Sequence, residues 1–236
     1  MPLQQVCGAQ GIVLTNRKPF MAKGKELLTD GRLAILLVVV ILIIDQVIKI
    51  EVKTSMSLGE AIHVTDWFYI DFVENNGMAY GMTFFNKLVR SLFRLVAITA
   101  IGWYLRQVLK QKHTTGYIVV LSMILAGAVG NILDSMFYGL IFEASTPFSV
   151  AGFVPFGTGY APFLQGKVVD MFYFPMIVTT YPSWVPFKGG DEFIFFSPVF
   201  NFADACISVG IVALFLFYRN EVEHLSETVK GAFRKK

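Results

Sequence analysis

Four apolar stretches dominate the chain: Leu33 to Ile50, about Leu88 to Leu109, Thr115 to Phe142, and Phe200 to Tyr218, each interrupted by a few polar residues. A helix rises 1.5 Å per residue, so about 20 residues cross a hydrocarbon core roughly 30 Å thick. Each stretch is long enough to span. The 236 residues are 55% hydrophobic and 16% charged, with a mean hydropathy of +0.59, whereas soluble domains carry about 25% charged residues. That balance excludes a disordered chain and argues against a soluble globular one. A net charge of +3 is too slight for a nucleic-acid partner. Two cysteines, Cys7 and Cys206, build no disulfide framework or metal cluster, and Cys206 reads as a small packing residue. The expected fold is an all-α integral membrane protein, a four-transmembrane-helix bundle with a small extracytoplasmic β-rich, interfacial subdomain.

Basic residues orient the bundle. Arg17, Lys18, Lys23, Lys25 and Arg32 precede the first span, Arg106, Lys110 and Lys112 gather where the second ends and leads to the third, and Arg219, Lys230, Arg234, Lys235 and Lys236 follow the fourth. These segments are expected on the cytoplasmic side. Residues 1–32 then form a cytoplasmic tail, 33–218 the four-span unit with outer segments 51–87 and 143–199, and 219–236 a basic cytoplasmic tail. Arg90 and Arg94 run against this rule at the outer end of the second span, where they are expected to snorkel or to cap a polar site. Asp45 and Lys49, with no small-x-small cleavage pattern, mark the first span as retained rather than as a cleaved signal. Met21, followed by Ala-Lys-Gly-Lys, reads as a natural start, with residues 1–20 an extension.

The outer segments have their own texture. His63 to Glu74 alternates partly and is rich in β-branched and aromatic residues, which predicts one short strand at the membrane surface. The second outer segment is crowded with aromatics, including Phe148, Phe153, Trp184 and Phe187, as in a headgroup-zone subdomain or lid.

An aspartate within a span is expensive and needs a partner or a task. Asp45 and Lys49 stand four apart on one helix face and read as a structural polar pair or as part of an active site's frame. Asn131 and Asp134 are three apart, and Asn201 and Asp204 repeat that spacing, so each pair shares a helix face. Asp170 sits in the apolar run Val-Val-Asp-Met-Phe. Asn75 and Gly77 form a turn, or a bare stretch of backbone that an extended peptide can approach. His63, His113 and His224 are scattered over both sides, which leaves no histidine triad or zinc site. Carboxylates remain as the one ionisable cluster on the outer side. A small transporter or proton-conducting protein would spread its carboxylates through the bilayer and carry an internal repeat, as this chain does not. A structural anchor without chemistry is the third reading.

Five segments, in order, resemble the signature blocks of the lipoprotein signal peptidase (signal peptidase II) family: Asp45-Gln-Val-Ile-Lys49, Asn75-Asn-Gly-Met-Ala-Tyr-Gly81, Gly127-Ala-Val-Gly-Asn-Ile-Leu-Asp134, Val168-Val-Asp-Met-Phe172 and Phe200-Asn-Phe-Ala-Asp204. The resemblance implies an aspartyl endopeptidase of the bacterial cytoplasmic (inner) membrane, multi-pass, with both termini cytoplasmic and the active site at the outer interface. Its substrate would be a prolipoprotein whose cysteine bears a diacylglyceryl group. The motifs place the catalytic pair on Asp170 and Asp204. Substrate-side roles fall on Asn75, Gly77, Ala79, Tyr80, Asn131, Asp134 and Asn201. No metal or organic cofactor is implied, the other partners are membrane lipids, and a monomer is expected. Two carboxyls close together in a low dielectric share one proton, and which aspartate holds it stays open. Ser135 departs from the family, which usually has Arg there, so Asp134 needs another cation, Arg90 or Arg94, or a proton. The stretches 143–167 and 175–198 are longer than a minimal member needs and suggest an enlarged lid.

Overall fold

The computed structural model describes residues 29–75, 86–111 and 113–223. Helix α1 (Asp30–Ser55) runs without Gly or Pro beyond its first turn, and its 26 residues reach about 39 Å. A hairpin of β1 (Ala61–Thr65) and β2 (Phe68–Asn75) follows, then α2 (Lys87–Gln111) and α3 (Thr115–Leu133). Past α3 the helix widens into a π-helical turn at Asp134–Tyr138 and ends in the short α4 (Gly139–Ile141). Strands β3 (Val168–Tyr173), β4 (Ile177–Thr180) and β5 (Glu192–Phe195) precede α5 (Phe202–Phe217) and α6 (Arg219–Glu223).

Three helical stretches are long and apolar enough to cross a membrane: α1, α2 and Thr115–Ile141. Many of their apolar side chains are exposed, among them Ile35, Ile43, Val47, Phe93 and Val96; a helix apolar all round suits lipid, not water. The fourth expected span is shorter than the apolar run that suggested it. Asn201 is spent as the N-cap and the helix stops at Tyr218, so α5 has 16 residues, about 24 Å. The single strand expected over 63–74 is instead a hairpin, because Asp66 and Trp67 turn the chain between two shorter strands.

Helix α3 is the hub, packing against α1, α2 and α5. Glycines allow this closeness. A Cβ at Gly127 would run into the Ala203 carbonyl of α5, and one at Gly130 would come within 2.6 Å of the Asp45 carboxylate of α1. Apolar clusters fill the bundle at both ends: Tyr104, Val108, Tyr117 and Ile118 at one, and Val52, Phe72, Phe142, Val169 and Met171 at the other.

The sheet order is β1-β2-β3, antiparallel throughout. Strand β3 docks on the helices and sets the register that matters, with Val73 opposite Asp170, Glu74 opposite Val169 and Asn75 opposite Val168. The β4–β5 hairpin leaves after β3 and returns to it. Phe172 and Phe200 exchange backbone hydrogen bonds of 2.7 and 3.0 Å, and the Phe174 and Phe200 rings stack at 5.6 Å. That closure sets the start of α5 directly beside β3.

Candidate active site

The closure brings two distant carboxyls to one place. Asp170, on β3, is 2% exposed. Its Oδ2 accepts from Asn75 Nδ2 at 3.0 Å and its Oδ1 from Asn201 Nδ2 at 2.6 Å. Asp204 occupies the first turn of α5 in a reciprocal capping box: its backbone N–H donates to Asn201 Oδ1 at 2.9 Å, and its Oδ2 faces the Asn201 N–H at 3.5 Å. Asp204 Oδ1 accepts from Asn131 Nδ2 at 2.7 Å. Asn201 Nδ2 also donates to Asn131 Oδ1 at 3.1 Å, so the two asparagines bridge the two aspartates. Asp170 is buried and Asp204 half-buried, which leaves the pair open on the Asp204 side.

Burial raises the Asp170 pKa, and the Asp204 charge raises it further; the Asn75 and Asn201 hydrogen bonds and the Lys49 charge oppose them, and the outcome is about 7. Asp170 therefore changes protonation near neutral pH.

Beneath the pair lies a second polar layer. Lys49 Nζ reaches Asp45 Oδ2 at 3.0 Å, Asp134 Oδ2 at 2.9 Å and Asn131 Oδ1 at 2.9 Å, which occupies all three of its donors. The expected helical pair of Asp45 and Lys49 is thus one edge of a buried cluster linking α1 to α3. The cation paired with Asp134 is Lys49 of α1, rather than the expected Arg90 or Arg94 of α2. Asp134 is fully buried; it accepts from Gln46 Nε2 at 2.9 Å and from the Val169 N–H of β3 at 3.3 Å. Through the Val169 N–H it ties β3 to the end of α3. Asp45 Oδ1 accepts from the Ala203 N–H at 3.0 Å, one of the free donors that open α5.

Gly77, Ala79 and Tyr80 lie outside the described residues. Asn75, Asn131, Asn201, Asp170 and Asp204 come together. Sequence reasoning missed Gln46, Lys53 and Glu74; Lys53 did carry a signal, standing four residues after Lys49 on the face that already holds Asp45. Among the described residues no three His, Cys, Asp or Glu side chains converge as metal ligands would.

The family model described as signal peptidase (SPase) II matches residues 37–219. The chain belongs to the signal peptidase II family. It is 48% identical over 211 residues to a lipoprotein signal peptidase of Porphyromonas gingivalis, covering 89% of this chain and 93% of the relative. A lipoprotein signal peptidase of Amoebophilus asiaticus is 31% identical over 188 residues, 77% of this chain and 75% of the relative. A bacterial membrane enzyme solved by the in meso method at 2.3 Å resolution shares the fold, with a TM-score of 0.54 and 20% identity over 80% of this chain and 89% of that one. This member of the signal peptidase II family is a membrane protease, and all five sequence blocks fall within the matched residues 37–219.

Proposed function

We propose that the protein is an aspartyl endopeptidase that removes the signal peptide from diacylglyceryl-modified prolipoproteins just before the lipidated cysteine. The observation that carries this reading is the juxtaposition of Asp170 and Asp204 through Asn131 and Asn201. Asp170 is the member that burial keeps protonated, and Asp204, open to water, acts as the base. Asp204 takes a proton from a water molecule whose oxygen attacks the scissile carbonyl carbon, while Asp170 donates a hydrogen bond to the carbonyl oxygen. Collapse of the tetrahedral intermediate breaks the C–N bond as a proton passes to the cysteine nitrogen. The products are a free carboxyl on the signal peptide and a free amine on the lipidated cysteine. Asn75, Asn131 and Asn201 hold the carboxyls in place, and the family motif assigns Gly77, Ala79 and Tyr80 to the substrate.

In this reading α5 completes a four-span bundle with both termini cytoplasmic. Thr115 Oγ1 donates to Asp30 Oδ1 at 3.0 Å, so the starts of α1 and α3 share one end with basic Arg32, and the aspartate pair sits at the other. There the substrate's acyl chains, at about 0.8 kcal/mol of membrane affinity per buried methylene, hold the cleavage site at the bilayer surface.

The test is a gel-shift assay with a prolipoprotein substrate, with and without its diacylglyceryl group. Cleavage before the lipidated cysteine is expected, with the unmodified precursor a poor substrate; equal cleavage of both would overturn the lipid requirement. Activity should fall as pH rises through about 7, because the proton that polarises the carbonyl is lost from Asp170. The Asn75 N–H favours the ionised carboxyl, so Asn75→Ala moves this alkaline limb to higher pH. A limb that stays in place or moves down would contradict the assignment.

A further inference from the structure

We infer that Glu74, clamped between Lys53 and Lys167, is a positioning residue that holds the Asn75 amide on Asp170. Successive residues of a strand point to opposite faces. Val73 is the cross-strand partner of Asp170, so Val73, Asn75 and Asp170 share one face of the sheet and Glu74 points to the other. On that far side the Glu74 carboxylate is buried, its side chain 1% exposed. A buried carboxylate is costly unless it is fully paired, and this one is. Oε1 accepts from Lys53 Nζ at 2.6 Å and from Ser145 Oγ at 2.9 Å, and Oε2 accepts from Lys167 Nζ at 2.8 Å.

The clamp's anchors come from three parts of the chain. Lys53 lies one turn beyond Lys49 on α1, donates to Ser145 Oγ at 2.8 Å and sits over the rings of Phe142 and Tyr160 at 5.3 and 5.1 Å. Lys167 immediately precedes β3, and its backbone N–H donates to Tyr160 Oη at 2.6 Å. The helix that carries Lys49, the 143–167 segment and β3 are therefore tied to the one residue before Asn75. Burial pushes the Glu74 carboxyl up, but Lys167 and Lys53 pull it below the usual carboxylate range, so Glu74 stays ionised across neutral pH. Without it, the end of β2 loses its ties to α1 and to the 143–167 segment, and the Asn75 amide loses its fixed distance to Asp170.

The inference rests on the Asp170 and Asp204 reading. Among the described residues, the charged groups that act on Asp170 are Asp204 from α5 and Lys49 from α1, and the variants below leave both in place. Glu74→Gln in the full-length protein should lower kcat about 10- to 100-fold, the scale of a small misplacement, with KM within about twofold. The alkaline limb of its pH profile should move up, as in Asn75→Ala. Adding Asn75→Ala to Glu74→Gln should cost less than about twofold more, because the first change has already released the amide. Glu74→Gln leaves Lys53 buried against a neutral amide and endangers the fold. Lys167→Met is the gentler variant, since the Lys167 side chain is 30% exposed, and it should move the limb in the same direction by less. A folded variant of either kind with the parent's alkaline limb, or costs that multiply in the double variant, would overturn the positioning role. If Asp170→Asn still cleaves, the aspartate reading itself fails. If Asp170→Asn is inactive while the limb stays put in the Glu74 and Lys167 variants, the positioning role alone is lost.

Discussion

Asp170→Asn and Asp204→Asn should each abolish cleavage of a diacylglyceryl prolipoprotein, lowering kcat by at least about 10²- to 10⁴-fold, the range contributed by a positioned acid or base. The two losses do not multiply in the double variant, because each carboxyl has a role only while the other is there to complete the proton transfer. Neither change should unfold the protein. An Asn at 170 is isosteric and keeps one oxygen, for either the Asn75 or the Asn201 amide, and an Asn at 204 keeps one for Asn131 while its backbone N–H still donates to Asn201 Oδ1. Substrate binding to both variants, measured by co-purification with the lipidated precursor, should therefore persist. Cleavage by Asp170→Asn within about twofold of the parent would remove the dyad.

Lys49→Met should have the largest effect on stability. The change leaves the Asp45 and Asp134 carboxylates and the Asn131 carbonyl buried without their shared cation, and breaking a buried pair from one side costs about 3–5 kcal/mol. For a chain of this length that is a fall of about 6–20 °C in Tm, read by thermal unfolding in detergent. Lys49→Arg should not rescue it, because a planar guanidinium cannot direct donors at three acceptors gathered around one ammonium. A Tm unchanged within about 1 °C would mean that the cluster contributes little beyond apolar packing.

Much of this was legible in the chain alone. Continuous apolar runs predicted α1, α2 and α3 because a lipid-facing helix must be apolar on nearly every side. The i, i+3 spacing of Asn131 with Asp134 predicted a shared face because helical geometry is local, whereas Asn201 and Asp204 meet as cap and first turn. Other features depended on which elements met. The apolar run at 200–218 did not reveal that Asn201 would be taken as a cap, which shortens α5 and turns that side chain toward Asp170. The spacing of Asp45 and Lys49 suggested a pair, but the third and fourth members of the cluster, Asp134 and Asn131, arrive from another helix through the gap left by Gly130. Sequence determined which residues are apolar, which are polar and at what local interval they recur. Only the tertiary structure decided which buried charge meets which, since burial and pairing energies depend on distances between segments that local periodicity does not contain.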